Sequence, residues 1–92
     1  MTPATAETTA LQVLGWIAGQ DDLLRVFLGS SGAAADDLRA AAQTPELQLA
    51  VLDFILMDDA WVIDCCDALG LDYTALSAAR AALPGGEQVH WT

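Results

Sequence analysis

The sequence predicts an all-α fold, a compact and mostly orthogonal bundle of five or six short helices around a central hydrophobic helix at about residues 45–57. Three observations point that way. Apolar residues recur at the i, i+3, i+4, i+7 spacing that lines one helical face. The run from Leu47 to Met57 is apolar nearly all round, which suits a helix hidden by its neighbours. Connections of about two to six residues separate the candidate helices, so sequential neighbours are expected to pack as three hairpins. With 92 residues the chain forms one domain, assigned to residues 1–86. Residues 87–92 make a tail too short to fold alone, which either frays or docks by Trp91.

The first helix is expected from about Ala6 to Ala18, where Ala10, Val13, Leu14 and Ile17 share a face and Gly19 follows. Asp21 or Asp22 then caps a second, about Asp22 to Leu28, with Leu23, Val26 and Phe27 on one side and Arg25 within pairing reach of both acids. Gly29-Ser30-Ser31-Gly32 closes it, because glycine accepts left-handed end positions and serine competes for backbone hydrogen bonds. A third, about Ala35 to Gln43, places Asp36 and Asp37 at its positive end and is anchored by Leu38.

Thr44-Pro45 is the sharpest boundary in the chain: threonine caps, and proline fits a first helical position whose N–H has no partner. The fourth helix starts there, with Leu47, Ala50, Val51 and Phe54 on one face and Leu49, Leu52, Ile55 and Leu56 around the sides. Asp58 and Asp59 begin a fifth, with Val62, Cys65, Cys66 and Leu69 at core spacing and Gly70 as its end. Asp72 or Thr74 caps a sixth, carrying Tyr73, Leu76, Arg80 and Leu83 near one face, and Pro84-Gly85-Gly86 stops it.

Thirteen carboxylates face three cations, Arg25, Arg39 and Arg80, for a net charge of -10. Phosphate recognition draws its affinity from clustered Lys and Arg that release counterions, so nucleic acid is excluded as a partner. The same physics excludes an anionic membrane surface, and no apolar run reaches the ~20 residues of a membrane span. The start, Met1-Thr2-Pro3-Ala4, lacks the basic patch and apolar stretch of a secretion signal. Adjacent Cys65 and Cys66 cannot staple distant segments. A cytoplasmic protein is expected.

Each candidate for chemistry has a structural explanation that outweighs it. Cys65 and Cys66 lie mid-helix among Val62, Ile63 and Leu69, where burial raises a thiol's pKa and hides it. A zinc site needs more ligands than these and His90 supply. The pairs Asp21-Asp22, Asp36-Asp37 and Asp58-Asp59 stand at helix starts, where capping and the helix dipole recruit aspartate, and none belongs to a loop with alternating oxygen ligands. Ser30, Ser31 and Ser77 have no nucleophile-elbow glycines and no base nearby. No catalytic, cofactor or metal residue is therefore assigned.

Arg80 and the tryptophans carry more information. Arg80 shares an apolar side with Leu76 and Leu83, so its guanidinium must snorkel or find a carboxylate; Asp53, a lone acid in an apolar run, is the expected partner, with Asp64 as the alternative. That pair is read as structural, or else as an anchor for a bound peptide's carboxylate. Trp16 and Trp61 fall beside the apolar stripes and Trp91 sits in the tail, which makes all three candidate anchors for a partner.

Phe27-Leu28, Leu38-Arg39, Val51-Leu52-Asp53-Phe54, Ala79-Arg80 leading into Leu83-Pro84-Gly85-Gly86, and His90-Trp91-Thr92 occur in this order over nearly the whole chain. In these motifs the sequence resembles a family of short helical bacterial proteins, the domain of unknown function 3572 type. The resemblance implies an all-helical cytoplasmic protein with no assigned activity, so it carries over no catalytic residue, and Cys65-Cys66 is not part of its pattern.

The favoured function is a non-catalytic protein–protein interaction module docking through aromatic and apolar surface with acids at the rim. The alternatives are an acidic nucleic-acid mimic that occupies a DNA-binding protein, and, last, a small enzyme or metal protein using Asp58, Asp59, Cys65 or His90. A homodimer formed through spare apolar surface is a further possibility.

Overall fold

A computed structural model describes residues 1–32 and 34–85, and of Ala35 the backbone alone. The described residues form six helices and no strand: α1 (Pro3–Ala18), α2 (Asp21–Ser31), α3 (Ala35–Ala41), α4 (Pro45–Leu56), α5 (Asp59–Leu69) and α6 (Ala75–Ala82). Gly86 and the tail 87–92, including Trp91, lie outside the described residues.

Local chemistry accounts for the boundaries. Helix α1 starts a turn earlier than its apolar spacing indicates, because Thr2-Pro3 supplies the same device as Thr44-Pro45. The Thr2 hydroxyl accepts from the Thr5 N–H at 3.2 Å, and the Thr44 hydroxyl from the Leu47 N–H at 3.3 Å, with proline at the first helical position each time. Neither Asp21 nor Asp22 caps α2: Gln20 is the capping residue, without a side-chain bond, and the two carboxylates occupy the first turn, where the dipole favours them. The helix then continues through Gly29, Ser30 and Ser31, since Ser30 bonds back to the Phe27 carbonyl at 3.2 Å and a serine satisfied in that way need not break a helix. Gly32, at φ 72°, ends it instead.

Helix α3 closes at Ala41, short of Gln43; at its start the Ala34 N–H donates to the Asp37 carboxylate at 3.3 Å. Asp58 caps α5 by accepting from the Ala60 N–H at 2.8 Å. Gly70, at φ 70°, terminates α5, and the Leu71 N–H reaches back to the Cys66 carbonyl at 2.9 Å to complete the left-handed closing motif. At α6 it is Thr74 that occupies the capping position, with no bond from its side chain.

Helix α4 buries Leu47, Gln48, Val51, Leu52, Phe54 and Ile55. Its innermost stripe is Val51, Leu52 and Ile55, each at most 1% exposed, and not the expected face through Ala50, which is only half-buried. The centre is shared. Helix α1 buries Ala6, Thr9, Ala10, Val13 and Ile17 and touches α2, α4, α5 and α6, while α4 touches α1, α2, α5 and α6. Pairing into three sequential hairpins does not occur: α6 lies on α1 and α4 instead of its chain neighbour α5. The α6 face buries Leu76, Ala79 and Leu83, and α1 buries the small Ala6 and Ala10.

Two buried polar side chains are satisfied. Thr9 donates to the Thr5 carbonyl at 2.9 Å, and Gln48 donates to the Ala42 carbonyl at 3.1 Å, fastening α4 to the end of α3. An aromatic column crosses the bundle: Phe27 meets Phe54 edge-on at 5.1 Å, and Phe54 stacks on Trp61 at 4.9 Å. It joins α2, α4 and α5. No described helix is long and apolar enough to cross a membrane.

Candidate functional site

The end of α1, the start of α2 and the outer side of α5 enclose an open groove of about 560 Å³. Trp16 and Trp61 both border it, together with Leu23, Val26, Gln20 and the carboxylates of Asp21, Asp22 and Asp64. Sequence dictates this juxtaposition. Gly19 and Gln20 form a tight connection that brings the first turn of α2, with its two aspartates, back beside Trp16 on the last turn of α1. On α5, Trp61 and Asp64 stand three residues apart and so share a face.

Both indoles are half-buried. One face of Trp61 is occupied by Phe54, a core side chain 4% exposed, which holds the ring in place. Val26, expected to share the inward side of α2 with Phe27, is instead 50% exposed at the groove, because α2 touches the bundle along a narrow stripe centred on Phe27. Arg25 lies 3.8 Å from Asp22, and both side chains are almost fully in water. Such a pair is weak.

Arg80 does not line the groove. Its Nε donates to Asp53 Oδ1 and its Nη2 approaches Asp53 Oδ2 at 3.5 Å, a two-point contact between α6 and α4. The hydrogen bond that Arg80 donates to Asp53, together with that carboxylate's negative charge, raises the Arg80 pKa above the ordinary value. This contact and the two indoles therefore make separate features. Trp91, the remaining candidate anchor, falls outside the described residues.

Cys65 and Cys66 are fully buried free thiols. Burial, followed by the neighbouring Cys66, pushes the Cys65 thiol from 9.0 up to about 12; burial, then Asp67 and Asp72, raises Cys66 as well. A protonated, enclosed thiol is a poor nucleophile. Tyr73, expected near the apolar face of α6, is 54% exposed and donates to Asp67 at 2.7 Å, since it lies in the turn before α6 begins. That bond holds its phenol above the ordinary pKa. Among the described residues no three His, Cys, Asp or Glu side chains converge as metal ligands.

A second concavity, about 380 Å³ and nearly all apolar, runs between α1, α2 and α3 past Leu11, Leu14, Gly15, Leu24 and Leu38, with Arg39 at its rim. From sequence, Asp21 and Asp22 are explained by their place at a helix start and Asp64 stands only as the alternative partner of Arg80, so none of the three is assigned to a binding site. The signal that pointed to them was present in the Trp61/Asp64 spacing and in the five positions separating Trp16 from Asp21.

A family model described as "Protein of unknown function (DUF3572)" matches residues 3–86. The chain belongs to this family. The matched span of the DUF3572 protein takes in all six helices, the groove and the Arg80–Asp53 contact. No curated protein and no solved structure matches the chain.

Proposed function

We propose that the protein is a non-catalytic interaction module that operates in the cytoplasm and docks a partner protein in the groove between Trp16 and Trp61. The observation carrying this reading is the convergence of two half-exposed indoles with Leu23, Val26 and three carboxylates in one open concavity. Interfaces are anchored by aromatic side chains set among groups that exclude water, with a polar rim that governs encounter and selectivity. Trp61 is held by Phe54 before any partner arrives, so little ordering entropy is spent on binding it.

The test is affinity capture with the full chain and with a Trp16→Ala variant whose helical content is first matched to wild type. A partner retained by the wild type and lost from the variant is expected. Equal capture by both chains would remove the groove from the interface.

A further inference from the structure

Taking the groove to be the docking surface, we propose that its occupant is a basic segment of the partner, one that presents arginine side chains beside an apolar residue. The walls divide the work. Leu23, Val26 and the indoles offer apolar and π surface, and Asp21, Asp22 and Asp64 offer carboxylates on both sides, from α2 and from α5. A guanidinium suits this mixture better than an ammonium, because it stacks flat on an aromatic ring while its N–H groups reach carboxylates.

Among the described residues no cation lines the groove, and the weak, solvated approach of Arg25 to Asp22 involves one carboxylate of the three. The field of the whole molecule acts in the same direction, since a net charge of -10 draws basic chains in and repels acidic ones. A second copy of this chain brings the same -10 with three arginines, so it fits the groove poorly. The open side of the concavity accommodates a length of polypeptide, whereas a small ligand calls for enclosure.

The experiment titrates the full chain with a short peptide alternating Arg and Leu, and with its counterpart carrying Glu for Arg, followed by backbone amide NMR. The Arg peptide is expected to shift amides of residues 20–26 and 60–64, with binding that weakens as salt rises; the Glu peptide is expected to leave them unmoved. Asp21→Asn, Asp22→Asn and Asp64→Asn combined are expected to weaken Arg-peptide binding about tenfold, the sum of three exposed ion pairs. Asp36→Asn with Glu46→Gln, equal in type but remote from the groove, are expected to change it less than twofold. Shifts spread evenly over all acidic segments, or equal losses from both variant sets, would overturn the basic-segment inference. So would binding of the Glu peptide at the groove, although that outcome leaves the docking surface itself standing. Loss of capture by Trp16→Ala tests the surface independently of charge.

Discussion

Cys65 shows how burial governs a single group. Its thiol is fully enclosed and its pKa is raised from 9.0 to about 12, so the folded chain keeps a proton that the unfolded chain gives up. The stability it contributes is complete below pH 9 and is lost as pH climbs from 9 towards 12, at about 1.4 kcal/mol per pH unit for one thiol. Urea midpoints measured across that range should fall, and Cys65→Ala should lower the midpoint below pH 9 while flattening the decline above it. At pH 8 neither thiol should react with iodoacetamide until the protein is denatured, when mass spectrometry should find both alkylated. The Arg80–Asp53 contact behaves differently, because both side chains remain partly in water, 36% and 51% exposed. Asp53→Asn should therefore cost only about 0.5 kcal/mol in chemical denaturation, and a loss several times larger would mean that the pair fixes α6 to α4 in a way its exposure does not explain.

Helix ends separate what glycine does by backbone conformation. Gly70 closes α5 at φ 70° and meets open space, so Gly70→Ala has no clash to relieve yet must strain the backbone, and it should destabilise by about 1 kcal/mol. Gly29 lies inside α2 with nothing within 4 Å of an added methyl, and Gly29→Ala should stabilise by about 0.5–1 kcal/mol. Thermal melts of the two variants should move in opposite directions. Thr44→Ala removes the cap of a helix that carries much of the core and should cost about 1 kcal/mol; at the outermost turn of α1, Thr2→Ala should cost less. These ends were also the most legible part of the sequence. Thr44-Pro45, Gly70 and the Asp58 cap could be read directly, since their signals are local. The Thr2-Pro3 start carried the same letters but preceded the apolar stripe, and the run through Ser30 and Ser31 depended on a hydrogen bond that composition does not reveal.

In the whole molecule, the class of fold follows from periodicity, but the arrangement does not. Nothing in the spacing of α6 indicates that it rests on α1 and α4 in preference to α5, because helix partners are chosen by three-dimensional fit between faces of similar composition. The site was half legible for the same reason: exposed indoles could be inferred from their positions beside the stripes, while the acids that join them required a fold. Phe54 is where fold and site meet, touching Phe27 on one side and Trp61 on the other. Phe54→Ala should cost about 3–5 kcal/mol, a large share of a small domain's total stability, and should shift the Trp61 indole resonance even in the fraction that remains folded.

That column of rings means the proposed docking surface is underwritten by the interior. A mutation that reshapes Trp61 to suit a new partner is transmitted through Phe54 to Phe27, so recognition and thermal tolerance are not free to drift apart on this side of the protein. Trp16, which has no ring contact of that kind among the described residues, is the proposed anchor at which substitution costs the fold less.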